Sequence, residues 1–185
     1  MSWVIRRTLT RLALAVAVMA VVGLAFALNA SSQYYEEGQC RGVMATIVGT
    51  PGSDQLEGTP ARDVIDARGG ADQIRAGGGN DLICAGAGTD QVMGGAGRDR
   101  IFGGRGSDQL QGNAGGDRLF GQRGSDQLQG NAGDDRLFGQ RGSDELQGNA
   151  GGDVLRGGLG FDLGDGGSGF DVCFRVERTR SCARA

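Results

Sequence analysis

Residues 107–160 hold one 18-residue phrase three times: SDQLQGNAGGDRLFGQRG (107–124), SDQLQGNAGDDRLFGQRG (125–142) and SDELQGNAGGDVLRGGLG (143–160). Each phrase divides into two nine-residue halves built alike, an aspartate followed two residues later by a leucine. A period this short and strict marks a repeat architecture, in which each unit buries its apolar side only against its neighbours.

Working outward, the register runs unbroken through Asp54, Asp63, Asp72, Asp81, Asp90, Asp99, Asp108, Asp117, Asp126, Asp135, Asp144, Asp153, Asp162 and Asp171, all nine residues apart. Two residues before each stands Gly, except Ala61. Two residues after each stands Leu, Ile or Val, except Gly164 and Cys173 at the very end. Ile47 keeps the apolar position one repeat earlier, with Ala45 in the aspartate's place. The column thus starts and stops in degraded repeats, as caps do.

The residue types then suggest the shape. Three residues, x-apolar-x, alternate with the strand period and turn one side chain inward. The six others, rich in glycine, suit a turn, because glycine takes positive φ without steric cost. Two such units make an 18-residue coil, and coils stack at about 4.8 Å, the spacing of paired strands. The expected fold is all-β: a right-handed parallel β-roll of two short-stranded sheets around a thin row of Leu and Ile. Its aspartates would line up along two edges at near-strand spacing. Like charges about 5 Å apart repel by roughly 1 kcal/mol in water and more at lower dielectric. A hard divalent cation, which takes 6–8 carboxylate and carbonyl oxygens, would reverse that sign.

Four turns read G-G-x-G-x-D in full: GGAGRD ending at Asp99, GGRGSD at Asp108, GGLGFD at Asp162 and GGSGFD at Asp171. AGGGND and AGAGTD, ending at Asp81 and Asp90, miss only the first glycine. With the apolar residue that follows, this resembles the hemolysin-type calcium-binding repeat family, often called RTX. The resemblance covers about Val43 to Cys182. It implies calcium between turns 18 residues apart on one edge, held by the fourteen aspartates above and by turn carbonyls. One edge would carry Asp54, Asp72, Asp90, Asp108, Asp126, Asp144 and Asp162, the other the alternate set. The second glycine is replaced by Asn113, Asn131, Asn149, Gln122 and Gln140. Asn tolerates positive φ and Gln does so poorly, which sets the sites near Asp126 and Asp144 apart, and Asp63 follows a turn, TPARD, without the inner glycine. The chain is similar to the small secreted calcium-binding repeat proteins of bacteria.

Composition narrows the function. Of 185 residues 38 are Gly, none is His, and the net charge is −3. Without His the commonest general base and transition-metal ligand is absent, and the mild acidity argues against nucleic acid as the main partner. Asp66, Asp134, Asp165 and Glu177 fall outside the register and form no catalytic pair, so an enzyme is not expected. Arg6, Arg7 and Arg11 precede the apolar run Leu12–Leu28 and the small, polar NASSQ. Residues 1–30 therefore read as a secretory signal, or as a retained N-terminal membrane anchor. Either puts the rest outside the cytoplasm, with 31–42 a tether, 43–182 the roll, and Val43–Val48 a first capping strand. In an exported chain Cys40–Cys84 and Cys173–Cys182 bridges are expected, free thiols being the alternative.

The outward positions form ladders: Gln55, Gln73, Gln91, Gln109 and Gln127 on one sheet, and Arg100, Arg118 and Arg136 beside Phe102, Phe120 and Phe138 on the other. Stacked amides, stacked rings and arginines over ring faces would stabilise the coils. The alternative is a docking stripe for a cell-surface glycan or a protein, with calcium only structural.

Overall fold

The computed structural model describes residues 39–184. The signal-or-anchor segment and most of the tether lie outside them. Among the described residues no helix is long and apolar enough to cross a membrane.

The chain winds into a parallel β-solenoid in which each strand pairs with the strand 18 residues later, except in the last coil, where the spacing falls to 15 and 11 residues. One sheet, here the glutamine sheet, has eight strands: Gln55–Glu57, Gln73–Gly78, Gln91–Ala96, Gln109–Ala114, Gln127–Ala132, Glu145–Ala150, Leu163–Ser168 and Arg178–Arg180. The arginine sheet has nine: Ile47–Val48, Val64–Asp66, Leu82–Ala87, Arg100–Arg105, Arg118–Arg123, Arg136–Arg141, Val154–Leu159, Val172–Phe174 and Ala183–Arg184. Register is strict, with Leu110 opposite Leu128 and Phe120 opposite Phe138. A one-residue slip would turn the whole apolar row outward, which fixes the pairing.

Most strands hold six residues rather than the expected three. They run through the two glycine positions, as in Gln91–Ala96, and leave only residues such as 97–99 for the turn. The second glycine position is the reason. Gly95 sits at φ +114° and Asn113 at +77°, so the strand bends there while pairing continues on both sides.

Inside, three positions of each repeat alternate inward: the aspartate, the aliphatic residue and the first glycine. Asp90, Val92 and Gly94 are buried, while Gln91 and Met93 face out. The core is a file of single side chains from Ile65 to Leu155, each at most 1% exposed. Each such burial is worth roughly 1.5–3 kcal/mol. Ala67, Ala76 and Ala85 occupy the first-glycine position in the early coils and join that core.

Both ends are closed by chain outside the nine-residue register. Val43–Val48 is not one strand. Val43–Met44 pairs antiparallel with Gln39–Cys40, and Ile47–Val48 alone enters the roll. The Cys40–Cys84 disulfide pins that hairpin to the outer face of the arginine sheet, over a second cluster of Cys40, Val64, Leu82 and Phe102. At the other end Cys173, in an aliphatic position, is bonded to Cys182. Val176 packs where a side chain on Gly164 would lie, 3.0 Å from the Cβ it lacks. The two apolar exceptions in the repeat are thus filled by a disulfide and a borrowed valine.

Candidate metal centre: two columns of aspartate

Each carboxylate of the array has two unlike oxygens. One joins the coils: the Asp99 N–H donates to Asp117 Oδ1 at 2.7 Å, and the Asp117 N–H to Asp135 Oδ1 at 2.7 Å. Twelve such bonds, 2.7–3.0 Å long, run the length of both edges. At the turn the backbone N–H points along the roll axis and has no strand partner, so the next coil's carboxylate takes it.

The other oxygen has no protein partner. Oδ2 of Asp72, Asp81, Asp90, Asp99, Asp108, Asp117, Asp126, Asp135, Asp144, Asp153, Asp162 and Asp171 is buried without a hydrogen bond. Leaving a buried charged acceptor unsatisfied is costly. From Asp99 to Asp171 these oxygens lie over the first glycines, whereas before Asp72, Asp81 and Asp90 that position holds Ala67, Ala76 and Ala85. A Cβ on Gly94 would strike Asp99 Oδ2 and lie 3.0 Å from the Gly112 carbonyl, and one on Gly103 would meet Asp108 Oδ2 at 2.5 Å and the Gly121 carbonyl at 3.0 Å. Carboxylate and carbonyl oxygens of successive coils thus converge in the space that the absent side chain leaves. This is an oxygen-only donor set, suited to a hard cation. Among the described residues no three acidic, His or Cys side chains converge, so any cation would rely on paired carboxylates and main chain.

Electrostatics agree. Burial pushes Asp81, Asp99, Asp126 and Asp144 up to about 6, and Asp108 and Asp135 up to about 7, against a bonded N–H that pulls the other way. Burial likewise raises Asp72, Asp90, Asp117, Asp153 and Asp162. The neighbouring aspartate adds to the rise at Asp108 and Asp144.

Two of the fourteen sequence-predicted residues stand apart. Asp54 Oδ2 accepts the Thr50 N–H at 2.6 Å and the Thr50 hydroxyl at 3.0 Å. Asp63 Oδ2 accepts the Thr59 N–H at 2.7 Å and its hydroxyl at 2.9 Å, while the Thr46 hydroxyl bonds Oδ1 at 3.2 Å. Burial works to raise Asp63, yet these threonine bonds hold it below the usual carboxylate value. The turns GTPGSD and GTPARD carry threonine at the second-glycine position, where the others carry Gly, Asn, Gln or, before Asp72, Arg68. Donors from the chain itself fill the place that the other twelve leave open.

Asp126 and Asp144, expected to differ, keep the same geometry as their neighbours. Gln122 and Gln140 do sit at φ +82° and +81°, so the strain falls on the backbone and not on the carboxylates. Glu177, left without a role by its sequence position, ends one ladder: its Oε2 accepts the Asp162 N–H at 2.5 Å. It lies 15 residues on rather than 18, outside any count by nines. Residues just before the aspartates form a further rail, as in Ser125 N–H to Ser107 Oγ at 3.2 Å and Ser143 N–H to Ser125 Oγ at 3.3 Å.

On the outer faces the phenylalanines stack on one another: Phe102 and Phe120 at 4.7 Å, Phe120 and Phe138 at 4.9 Å, nearly parallel. The guanidinium over a ring of this stack is that of Arg41, 4.6 Å from the Phe102 centroid, instead of a ladder arginine.

The family model described as RTX calcium-binding nonapeptide repeat matches the chain in four copies, over residues 48–83, 85–119, 111–146 and 138–173. No curated protein matches the chain.

Proposed function

The chain belongs to the RTX calcium-binding nonapeptide repeat family, and from that premise we propose a non-enzymatic, extracellular protein whose roll folds on binding calcium. The observation that carries this reading is the set of twelve buried carboxylate oxygens with no partner. At neutral pH the fold needs positive charge at those points, and a bound calcium ion supplies it. Residues Asp72 to Asp171 of the array would hold it, with carbonyls such as those of Gly112 and Gly121. Asp54 and Asp63, occupied by threonine donors, would not.

Export fits the arginines and apolar run at the N-terminus and the two disulfides, which persist in oxidising compartments. In the calcium-poor cytosol the carboxylates would stay unneutralised and the chain unfolded until it emerges. The repeat belongs to a family of calcium-binding structural modules, and each register aspartate has a part in the coils already.

Calcium titration calorimetry tests the assignment. The twelve open aspartates divide six to an edge, so they leave five intervals on each, or about ten ions. Fourteen equivalent aspartates would leave about twelve. A chain that takes up no calcium at millimolar concentration would overturn the reading.

A further inference from the structure

The outer face of the arginine sheet takes no part in the aspartate columns. Across its strands from Leu82 to Phe174 it carries seven arginines and no carboxylate. Arg100, Arg118 and Arg136 form one column, and Arg105, Arg123 and Arg141 a second, each in register. Arg156 continues the phenylalanine column. All are exposed. The one ion pair among the described residues is Arg75–Glu57, 3.9 Å apart on the glutamine sheet. The seven thus lie beyond ion-pair reach of any described carboxylate.

A trough runs beside the second column, along the stacking axis. Its floor is Gly86, Gly104, Gln122 and Gln140, in a cavity of about 510 Å³. A space of about 320 Å³ that shares Gln140 continues it past Arg156. Arginines in each column recur at the strand spacing, about 4.8 Å. Like charges so close repel, and a surface of one sign is complementary to a chain of the other.

We infer that this trough binds a linear anionic polysaccharide, with a carboxylate or sulfate on each sugar, laid along the roll axis. Guanidinium forks pair with carboxylate and sulfate oxygens in two-bond geometry. The ring geometry favours a sugar chain over single-stranded nucleic acid. Bases bind by stacking on open aromatic faces, whereas Phe120 has a ring on each face and Phe102 has Phe120 on one face and the Arg41 guanidinium over its ring, so only Phe138 keeps a face that no other ring covers.

The inference rests on the folded roll, and so on calcium-driven folding, and every arm of its test includes calcium and a circular dichroism check of the fold. Labelled short oligogalacturonate is titrated with the full chain and followed by fluorescence anisotropy. Arg105→Ser/Arg123→Ser/Arg141→Ser should weaken binding at least about tenfold, as should raising salt from about 50 to 200 mM. Gln111→Ser/Gln129→Ser/Gln147→Ser on the opposite sheet should leave it unchanged, and both variants should keep their calcium uptake. Equal binding by the two variants would overturn the site. So would salt-insensitive binding, or no binding by a chain that has folded with calcium. Single-stranded DNA bound as tightly as the uronate would overturn the polysaccharide assignment.

Discussion

Protons should replace calcium. A carboxyl moved from 3.8 to about 7, as at Asp108 and Asp135, costs about 4 kcal/mol to ionise within the metal-free roll. Asp81, Asp99, Asp126 and Asp144, moved to about 6, cost about 3 kcal/mol each. A few of these together match the 5–15 kcal/mol that holds a domain folded. The sign follows from linkage. The folded chain keeps these protons up to pH 6–7 and the unfolded chain releases them near 4, so stability is present below about 4 and is lost as pH rises to 7. Arginine repulsion in acid works against folding, but at about 1 kcal/mol per neighbouring pair in water it is the smaller effect. Asp63 has the opposite sign and weakens the fold below its own lowered value, which puts the optimum near pH 4–5. The assay is far-UV circular dichroism with hydrodynamic radius, in chelator at pH 4.5, 6 and 7.5 and in calcium at pH 7.5. Micromolar protein is needed because the isoelectric point, about 5.0, falls in this window. The chain should be β-structured and compact at pH 4.5 and in calcium, and expanded in chelator at pH 7.5. A compact β-structured chain in chelator at pH 7.5, or a coil at every pH without calcium, would refute the reasoning.

Other perturbations separate the parts. Asp117→Asn keeps an oxygen for the Asp99 N–H but removes a charge between two intervals, so calorimetry should show about two fewer ions; Asp54→Asn, at a threonine-filled turn, should leave the count unchanged. Gln122→Gly and Gln140→Gly relieve positive-φ strain of roughly 1–2 kcal/mol, less the roughly 0.5–1 kcal/mol entropic cost of glycine. Each should stabilise by about 0.5–1 kcal/mol, read as a higher urea midpoint in saturating calcium. Cys40→Ser/Cys84→Ser opens a link spanning 44 residues, worth up to about 4 kcal/mol, and should lower that midpoint while calcium uptake remains.

The repeat itself was legible because two signals coincide: side chains alternate at Leu110 and Leu128, and the aspartates beside them keep the same nine-residue beat. That sufficed for the parallel coils and their register, while both disulfides were expected from cysteines at the two ends of the roll in an exported chain. Strand length was not legible, since glycine ordinarily signals a turn, whereas Gly95 and Asn113 bend a strand that continues to pair. The division of the aspartates was visible only in part: the turn before Asp63 marked it out, but nothing marked Asp54. Thr50 and Thr59 stand where glycine is usual, and only their hydrogen bonds show that these two carboxylates, unlike the other twelve, have a donor on Oδ2. Glu177 escaped because the final turn is three residues short.

The ends of the array also obey a rule that a count of repeats cannot express. Every coil donates an aspartate N–H to the carboxylate of the coil after it. The stack therefore has a direction. Its first coils carry carboxylates that no earlier coil serves, and its last carries an N–H that no later coil accepts. The caps have matching chemistry: hydroxyl donors from Thr46, Thr50 and Thr59 at the start, and the Glu177 acceptor at the finish. Coils in the middle can be duplicated, as residues 107–160 have been, because each brings one donor and one acceptor to every edge. The ends cannot be exchanged. A GTPGSD turn at the finish would set a filled carboxylate where a bare N–H needs an acceptor, and a glutamate at the start would add an acceptor where donors are short. At the start threonine donors serve the carboxylate oxygens that calcium is proposed to serve in the middle coils, and at the finish Glu177 takes the N–H that the next coil's Oδ1 takes elsewhere; on that proposal the ion-dependent part of the fold would run from Asp72 to Asp171.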